Sequence, residues 1–297
     1  MDESRFIESF DGTRIAYRAY GKGSPAVFLS NGIGCNQVFL DYLIRDLASH
    51  YRTVVWDYRS HVDSDVPEDR RAVSMDCFMR DMQAAMDAAG VKRAVLGGFS
   101  MGVQVSLEFL SRFPERAEGL LLLCGTYEHL MRSFFYVGPL LDAVFPLLLY
   151  GMEHNPERVQ AVWTHIFSQP WVFQVARQFV FNRDAVKQSD FDRYQPHIAN
   201  IDVQSFLHTC YNIGRYSSKD VLSDIRMPTL VVAGEKDNFS PLSVCRRMHE
   251  QIQDAEWMLV EGGSHGSLIE FPERINERVL DFMSRHFGNG KGRRSGR

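Results

Sequence analysis

Ala94-Val-Leu-Gly-Gly98-Phe99-Ser100-Met101-Gly102-Val-Gln-Val-Ser-Leu-Glu-Phe-Leu-Ser-Arg112-Phe-Pro114 is the stretch whose reading decides the fold. Residues 94–97 form a short apolar run of strand length. Apolar side chains at Val103, Val105, Leu107, Phe109 and Leu110 then read as a buried helix that stops short of Pro114. Between them stands Gly-x-Ser-x-Gly, so strand, sharp turn and helix follow in the nucleophile-elbow arrangement. The turn is too tight for side chains at its flanks, and Gly98 and Gly102 leave that room. With Gly and Ser each at roughly 7% of residues, such a pentapeptide turns up in about one chain in ten of this length. Its context therefore has to carry the case.

Two further runs supply that context. Thr229-Leu-Val-Val-Ala233, entered through Pro228, ends in Gly234-Glu235-Lys236-Asp237-Asn238-Phe239-Ser240-Pro241. Trp257-Met-Leu-Val260 is followed by Glu261-Gly262-Gly263-Ser264-His265-Gly266. An acid just past one strand and a histidine in a glycine-rich loop past the next give the chain order Ser, Asp, His. On these three motifs the chain resembles the α/β-hydrolase superfamily, over residues 6–287 with a less typical middle. The resemblance implies a mostly parallel eight-stranded sheet flanked by helices, with an inserted helical cap.

Composition narrows the classes further. At 297 residues the chain suits one large domain, or a core with an inserted subdomain. Thirty-three basic and 37 acidic residues leave a net charge of −4, which argues against nucleic acid as the main partner. Cys35, Cys77, Cys124, Cys210 and Cys245 are odd in number and lack Cys-x-x-Cys spacing, so neither a disulfide framework nor a zinc site is expected. Residues 1–5 are acidic and polar with no apolar signal core behind them, so a cytoplasmic protein with reduced thiols is the expectation. Residues 134–150 come nearest to a membrane span. That stretch contains Asp142, Pro139 and Pro146 and falls short of the roughly 20 apolar residues a span needs. Buried or lid helices are expected there, and a disordered tail over 288–297.

Residues 6–10 and 14–20 flank Asp11-Gly12, a strong hairpin signal. Strands are expected at 26–30 and 52–56, with a helix around 39–48 between them. Residues 74–89 read as an amphipathic helix with Phe78, Met82, Ala85 and Met86 on one face, ended by Gly90. Strands alternating with helices predict a mainly parallel sheet covered on both faces. The alternation lapses between Tyr127 and Asp220, where the pattern is helical and rich in aromatics: Phe134, Phe135, Tyr136, Phe145, Trp163, Phe167, Trp171, Phe173, Phe179 and Phe181. The resemblance places the cap here. Residues 1–126 and 221–287 then make the core, and 127–220 the cap.

In the chemistry the resemblance implies, Ser100 is the nucleophile. Its neutral hydroxyl is a poor one and needs a base within hydrogen-bond reach. His265 is that base, since imidazole titrates near neutral pH. Asp237, rather than its neighbour Glu235, fixes the imidazole tautomer. The backbone N–H groups of Ile33 and Met101 form the oxyanion hole, with Asn31 and Gly32 supporting the loop. Asn31 stands where the family usually has histidine, and an amide can brace a loop equally by hydrogen bonding.

A second departure lies at Asp57-Tyr58-Arg59-Ser60-His61-Val62-Asp63-Ser64, where the family commonly has glycine at the positions of Ser60 and Val62. A positive φ would strain Val62, so this loop is expected to take another path. His61 and Asp63 look superficially like metal ligands, but no cluster accompanies them and they read as a solvated loop.

A serine at the elbow excludes the aspartate-nucleophile relatives, the haloalkane dehalogenases and epoxide hydrolases. A serine esterase acting on an apolar acyl compound, without cofactor or metal, is the leading expectation. C–C bond hydrolysis, thioester or lactone cleavage, perhydrolysis and a non-catalytic ligand-binding role stay open. Sequence does not indicate the oligomeric state.

Overall fold

The computed structural model describes residues 3–128 and 138–288, with side chains from 144 onward in the second stretch. Eight strands form one sheet in the order β1-β2-β4-β3-β5-β6-β7-β8. They are β1 (Arg5–Glu8), β2 (Arg14–Tyr20), β3 (Ala26–Ser30), β4 (Arg52–Trp56), β5 (Ala94–Phe99), β6 (Ala117–Leu123), β7 (Thr229–Gly234) and β8 (Glu256–Val260). Only β2 runs against its neighbours, pairing antiparallel with both β1 and β4; the other ladders are parallel. The expected hairpin at Asp11-Gly12 is present. Its first strand ends at Glu8, because Ser9 and Thr13 already close the turn through Ser9 N–H donating to Thr13 O at 2.8 Å.

The strands alternate as period-2 geometry requires. Phe28 points into one apolar layer while Val27 and Leu29 point into the other. Both faces are buried, which explains why these strands read as continuous apolar runs. One layer is covered by α2 (Met75–Ala88), α3 (Met101–Arg112) and α9 (Leu242–Gln251), through residues such as Phe78, Met82, Phe109 and Met248. The other is covered by α1 (Asp41–Ala48) and α11 (Pro272–Phe287), through Leu43, Leu47, Val279 and Phe282. Ser74 caps α2 by accepting the Cys77 N–H, which sets the helix start one residue inside the expected 74–89.

Where the strand alternation lapses, five helices follow one another among the described residues: α4 (Gly138–His154), α5 (Pro156–Phe167), α6 (Trp171–Phe179), α7 (Gln188–Asn200) and α8 (Val203–Gly214). Among the described residues no helix is long and apolar enough to cross a membrane. The aromatics of this region divide. Phe173, Phe181 and Phe191 are buried in the same layer as α1 and α11, whereas Trp171 and Phe179 are more than half exposed. Phe134, Phe135 and Tyr136 lie outside the described residues, as does nearly all of the expected tail.

The loop after β4 corrects one expectation. Ser60 (φ 65°) and Val62 (φ 49°) keep the left-handed backbone although neither is glycine. Arg59 explains it. This side chain is fully buried, donates twice to Asp81 at 2.7 Å, and reaches Asp11 and the Ala72 carbonyl. Ser64 and Asp57 are pinned as well: the Ser64 hydroxyl donates to Asp57 O at 2.7 Å, and Arg18 pairs with the Asp57 carboxylate at 3.0 Å. Left-handed backbone costs an L-residue about 1–2 kcal/mol, whereas breaking a buried ion pair costs about 3–5 kcal/mol. The anchors prevail, and the strain is tolerated.

Candidate active site

Ser100 sits between β5 and α3 at φ 55° and ψ −117°, a conformation that L-residues seldom adopt. The two flanking glycines are demanded by contact. A Cβ at position 98 would lie 2.1 Å from Gly102 O, and one at position 102 would lie 2.2 Å from Ser30 O. The turn therefore lifts Ser100 above the C-terminal ends of the parallel strands, where open α/β sheets bind their ligands.

Three sequence-distant side chains converge there. His265 Nε2 lies 2.9 Å from Ser100 Oγ, and His265 Nδ1 lies 2.9 Å from Asp237 Oδ2. Asp237 Oδ1 meanwhile accepts the Phe239 and Ser240 N–H groups, each at 2.8 Å. All three residues are buried. The imidazole is held between rings, stacked on Phe239 at 4.7 Å and tilted against Phe99 at 5.3 Å. Since Asp237 can only accept, Nδ1 must carry the proton, which leaves the Nε2 lone pair facing the serine hydroxyl. Glu235 is not part of this line; its carboxylate accepts the Gly262 N–H at 2.8 Å.

The loop after β3 passes close to the serine, for a Cβ at Gly32 would come 3.1 Å from Ser100 Cβ. Asn31 makes three hydrogen bonds in this loop. Its Nδ2 donates to Asn36 O at 2.7 Å, its Oδ1 accepts the Gly32 N–H at 2.8 Å, and its carbonyl accepts from the Tyr58 hydroxyl. Met101 opens α3, so its N–H is one of the helix's orphan donors. Among the described residues neither the Ile33 nor the Met101 N–H donates to a protein acceptor.

Two site residues were misjudged or missed in the sequence. His61 is not solvated: it is 2% exposed, its Nε2 accepts the Gly34 N–H at 2.9 Å, and its Nδ1 donates to Arg59 O. Burial pushes its pKa down to about 4, so the imidazole is neutral and props up the β3 loop. Asp63 faces outward to Arg18 and Ser4, so the two share no ligand geometry. Among the described residues no His, Cys, Asp and Glu cluster suits a metal ion. Glu270 was missed outright. It is buried behind the His265 loop, and nothing in Ser267-Leu-Ile-Glu-Phe signals it. Cys35 Sγ lies near Gly32, but burial pushes its thiol well up, which excludes a competing thiolate.

Comparison with known proteins places this geometry in a family. The family model described as alpha/beta hydrolase fold matches residues 25–272. RutD of Azorhizobium caulinodans, a protein named for carbamate hydrolysis, is 26% identical over 90% of this chain and 93% of its own. 3-Oxoadipate enol-lactonase 1 of Acinetobacter baylyi is 24% identical over 94% of this chain and 97% of its own. Among solved structures, the enol-lactonase from Burkholderia xenovorans LB400 superposes with a TM-score of 0.76 at 20% identity, covering 94% of this chain and all of that one.

Proposed function

The chain belongs to the alpha/beta hydrolase fold family, and from that premise we propose that it is a serine hydrolase cleaving a carboxylic ester of an apolar acyl compound through an acyl-enzyme. One observation carries this reading: the unbroken hydrogen-bonded line from Asp237 through His265 to Ser100. His265 takes the hydroxyl proton as Ser100 Oγ attacks the ester carbonyl, and Asp237 stabilises the imidazolium. The Ile33 and Met101 N–H groups receive the oxyanion, with Asn31, Gly32 and neutral His61 keeping their loop in place. His265 then protonates the leaving alcohol, and water repeats the sequence to release the acid.

Support for an apolar acyl group comes from what lies over the oxyanion loop. Gly34 packs under Phe206 of α8 and Ile198 of α7, whose atoms would stand 2.8 and 3.2 Å from a Cβ there. Residues 127–220 act as the cap over the core formed by 1–126 and 221–287. A second reading is lactone opening, which uses the same attack and is favoured by the similarity to an enol-lactonase. A fluorophosphonate probe, followed by hydrolysis of paired linear esters and lactones, tests both. The wild type should be labelled and Ser100→Ala should not. An unlabelled wild type overturns the reading in favour of a ligand-binding role.

A further inference from the structure

Behind the His265 loop lies a second buried carboxylate for which the proposed chemistry has no use. Glu270, the last residue of α10 (Ser267–Glu270), is 7% exposed. Its Oε2 accepts the Ser264 N–H at 3.0 Å, and its Oε1 accepts the Ser264 hydroxyl and the Asn182 N–H, the latter at 2.7 Å. Ser264 Oγ in turn accepts the Gly266 N–H at 3.2 Å. The residues on either side of His265 are thus both tied to one carboxylate.

The third donor comes from the other part of the molecule. Asn182 follows α6, and its side chain also donates to Gly262 O at 2.8 Å. Phe181 beside it covers Gly266 so closely that a Cβ there would lie 2.4 Å from the ring. Residues 181 and 182 therefore grip the histidine loop from both ends. Among the described residues no Lys or Arg pairs with Glu270. The titratable groups whose charge acts on it or feels it are His265 and Cys124. Burial holds its carboxyl above the usual carboxylate range, and the three donors offset only part of that rise.

We propose that Glu270 is a positioning residue that couples residues 181–182 to the His265 loop and places a second negative charge behind the imidazolium. This rests on the triad reading above. When His265 takes the Ser100 proton it becomes a cation; Asp237 touches the ring at Nδ1, and Glu270 stands one residue behind it, holding the Ser264 N–H and hydroxyl. Two carboxylates favour the cation more than one, and the loop is kept in register by the connection to Asn182.

Glu270→Gln tests it, since the amide keeps the shape but loses the charge and one acceptor. The expected result is a loss of kcat of at least tenfold, on the way to the ~10²-fold that follows from misplacing a catalytic group by 1 Å. KM should stay within threefold. The acid limb of kcat/KM should move to lower pH, because removing a nearby negative charge makes the imidazolium less stable. Ser264→Ala, which removes one donor and leaves the charge, should lower kcat without moving the limb, and it stands in should Glu270→Gln not fold. Turnover within threefold of wild type in the folded variant, or a loss of kcat with an unmoved limb in Glu270→Gln, would overturn the proposal. Turnover surviving in Ser100→Ala would instead overturn the triad reading beneath it.

Discussion

Asp237→Asn is the sharpest probe of the proposed mechanism, because the hydrogen bonds dictate how the new amide must sit. Oδ1 of Asp237 accepts from the N–H groups of Phe239 and Ser240, and Oδ2 faces His265 Nδ1. Two backbone donors demand an acceptor, so the asparagine oxygen takes the Oδ1 position and its NH2 group turns to Nδ1. That nitrogen must then be the acceptor, and the imidazole proton moves to Nε2, 2.9 Å from Ser100 Oγ. A base already carrying its proton cannot take another. The same inversion in a chymotrypsin-type triad lowers kcat by about 10⁴, roughly 5.5 kcal/mol in barrier at 1.36 kcal/mol per tenfold. Initial rates on a p-nitrophenyl ester at pH 7.5 would measure it, with circular dichroism to verify the fold. Glu235→Gln is the control and should change kcat less than threefold, since that carboxylate accepts the Gly262 N–H and lies outside the line from Asp237 to Ser100. A loss under tenfold for Asp237→Asn, or a larger loss for Glu235→Gln, refutes the reasoning.

Ser100→Ala should keep the fold and lose on the order of 10⁶ in kcat, the scale set by triad-serine deletion in subtilisin; burst kinetics before and after the change read it directly. With p-nitrophenyl esters, kcat/KM should climb from acetyl toward medium chains by up to about 0.8 kcal/mol per methylene, nearly fourfold a step, until the pocket fills. A flat series would point away from an apolar acyl group. His61 binds a proton in the folded protein only near pH 4, against about 6.5 when unfolded. Its contribution is therefore intact above pH 6.5 and lost as pH falls toward 4, amounting to about 2 kcal/mol between pH 7 and 5. In urea titrations at those two pH values, His61→Asn should show that much less acid sensitivity than wild type. Val62→Gly relieves a left-handed backbone worth about 1–2 kcal/mol against about 0.5–1 kcal/mol of added chain entropy. The variant should thus be up to about 1.5 kcal/mol more stable, and a clear drop in Tm would refute the strain assigned to this loop.

Sequence alone was sufficient where the governing interactions are local. Five of the eight strands could be bounded to within a residue: β3, β4, β7 and β8 as short apolar runs between turn residues, and antiparallel β2 from the Asp11-Gly12 hairpin signal. Ser100, Asp237 and His265 were legible because each sits in a turn with its own chemistry at the end of such a run. Asn31 could be singled out from its position in the β3 loop, where it makes three hydrogen bonds. The tertiary structure decided what no short window contains. It brings Ser100 within 2.9 Å of a histidine 165 positions away. It holds Ser60 and Val62 in a backbone that local preference forbids, because Arg59 meets Asp81 in the core 22 residues on. It buries His61, which a charged, polar neighbourhood had made look solvated, and it sets Glu270 against Ser264 and Asn182 from elements that share no pattern. Propensity and periodicity report on neighbours along the chain, whereas burial and ion pairing depend on neighbours in space, and at these four positions the second outweighs the first.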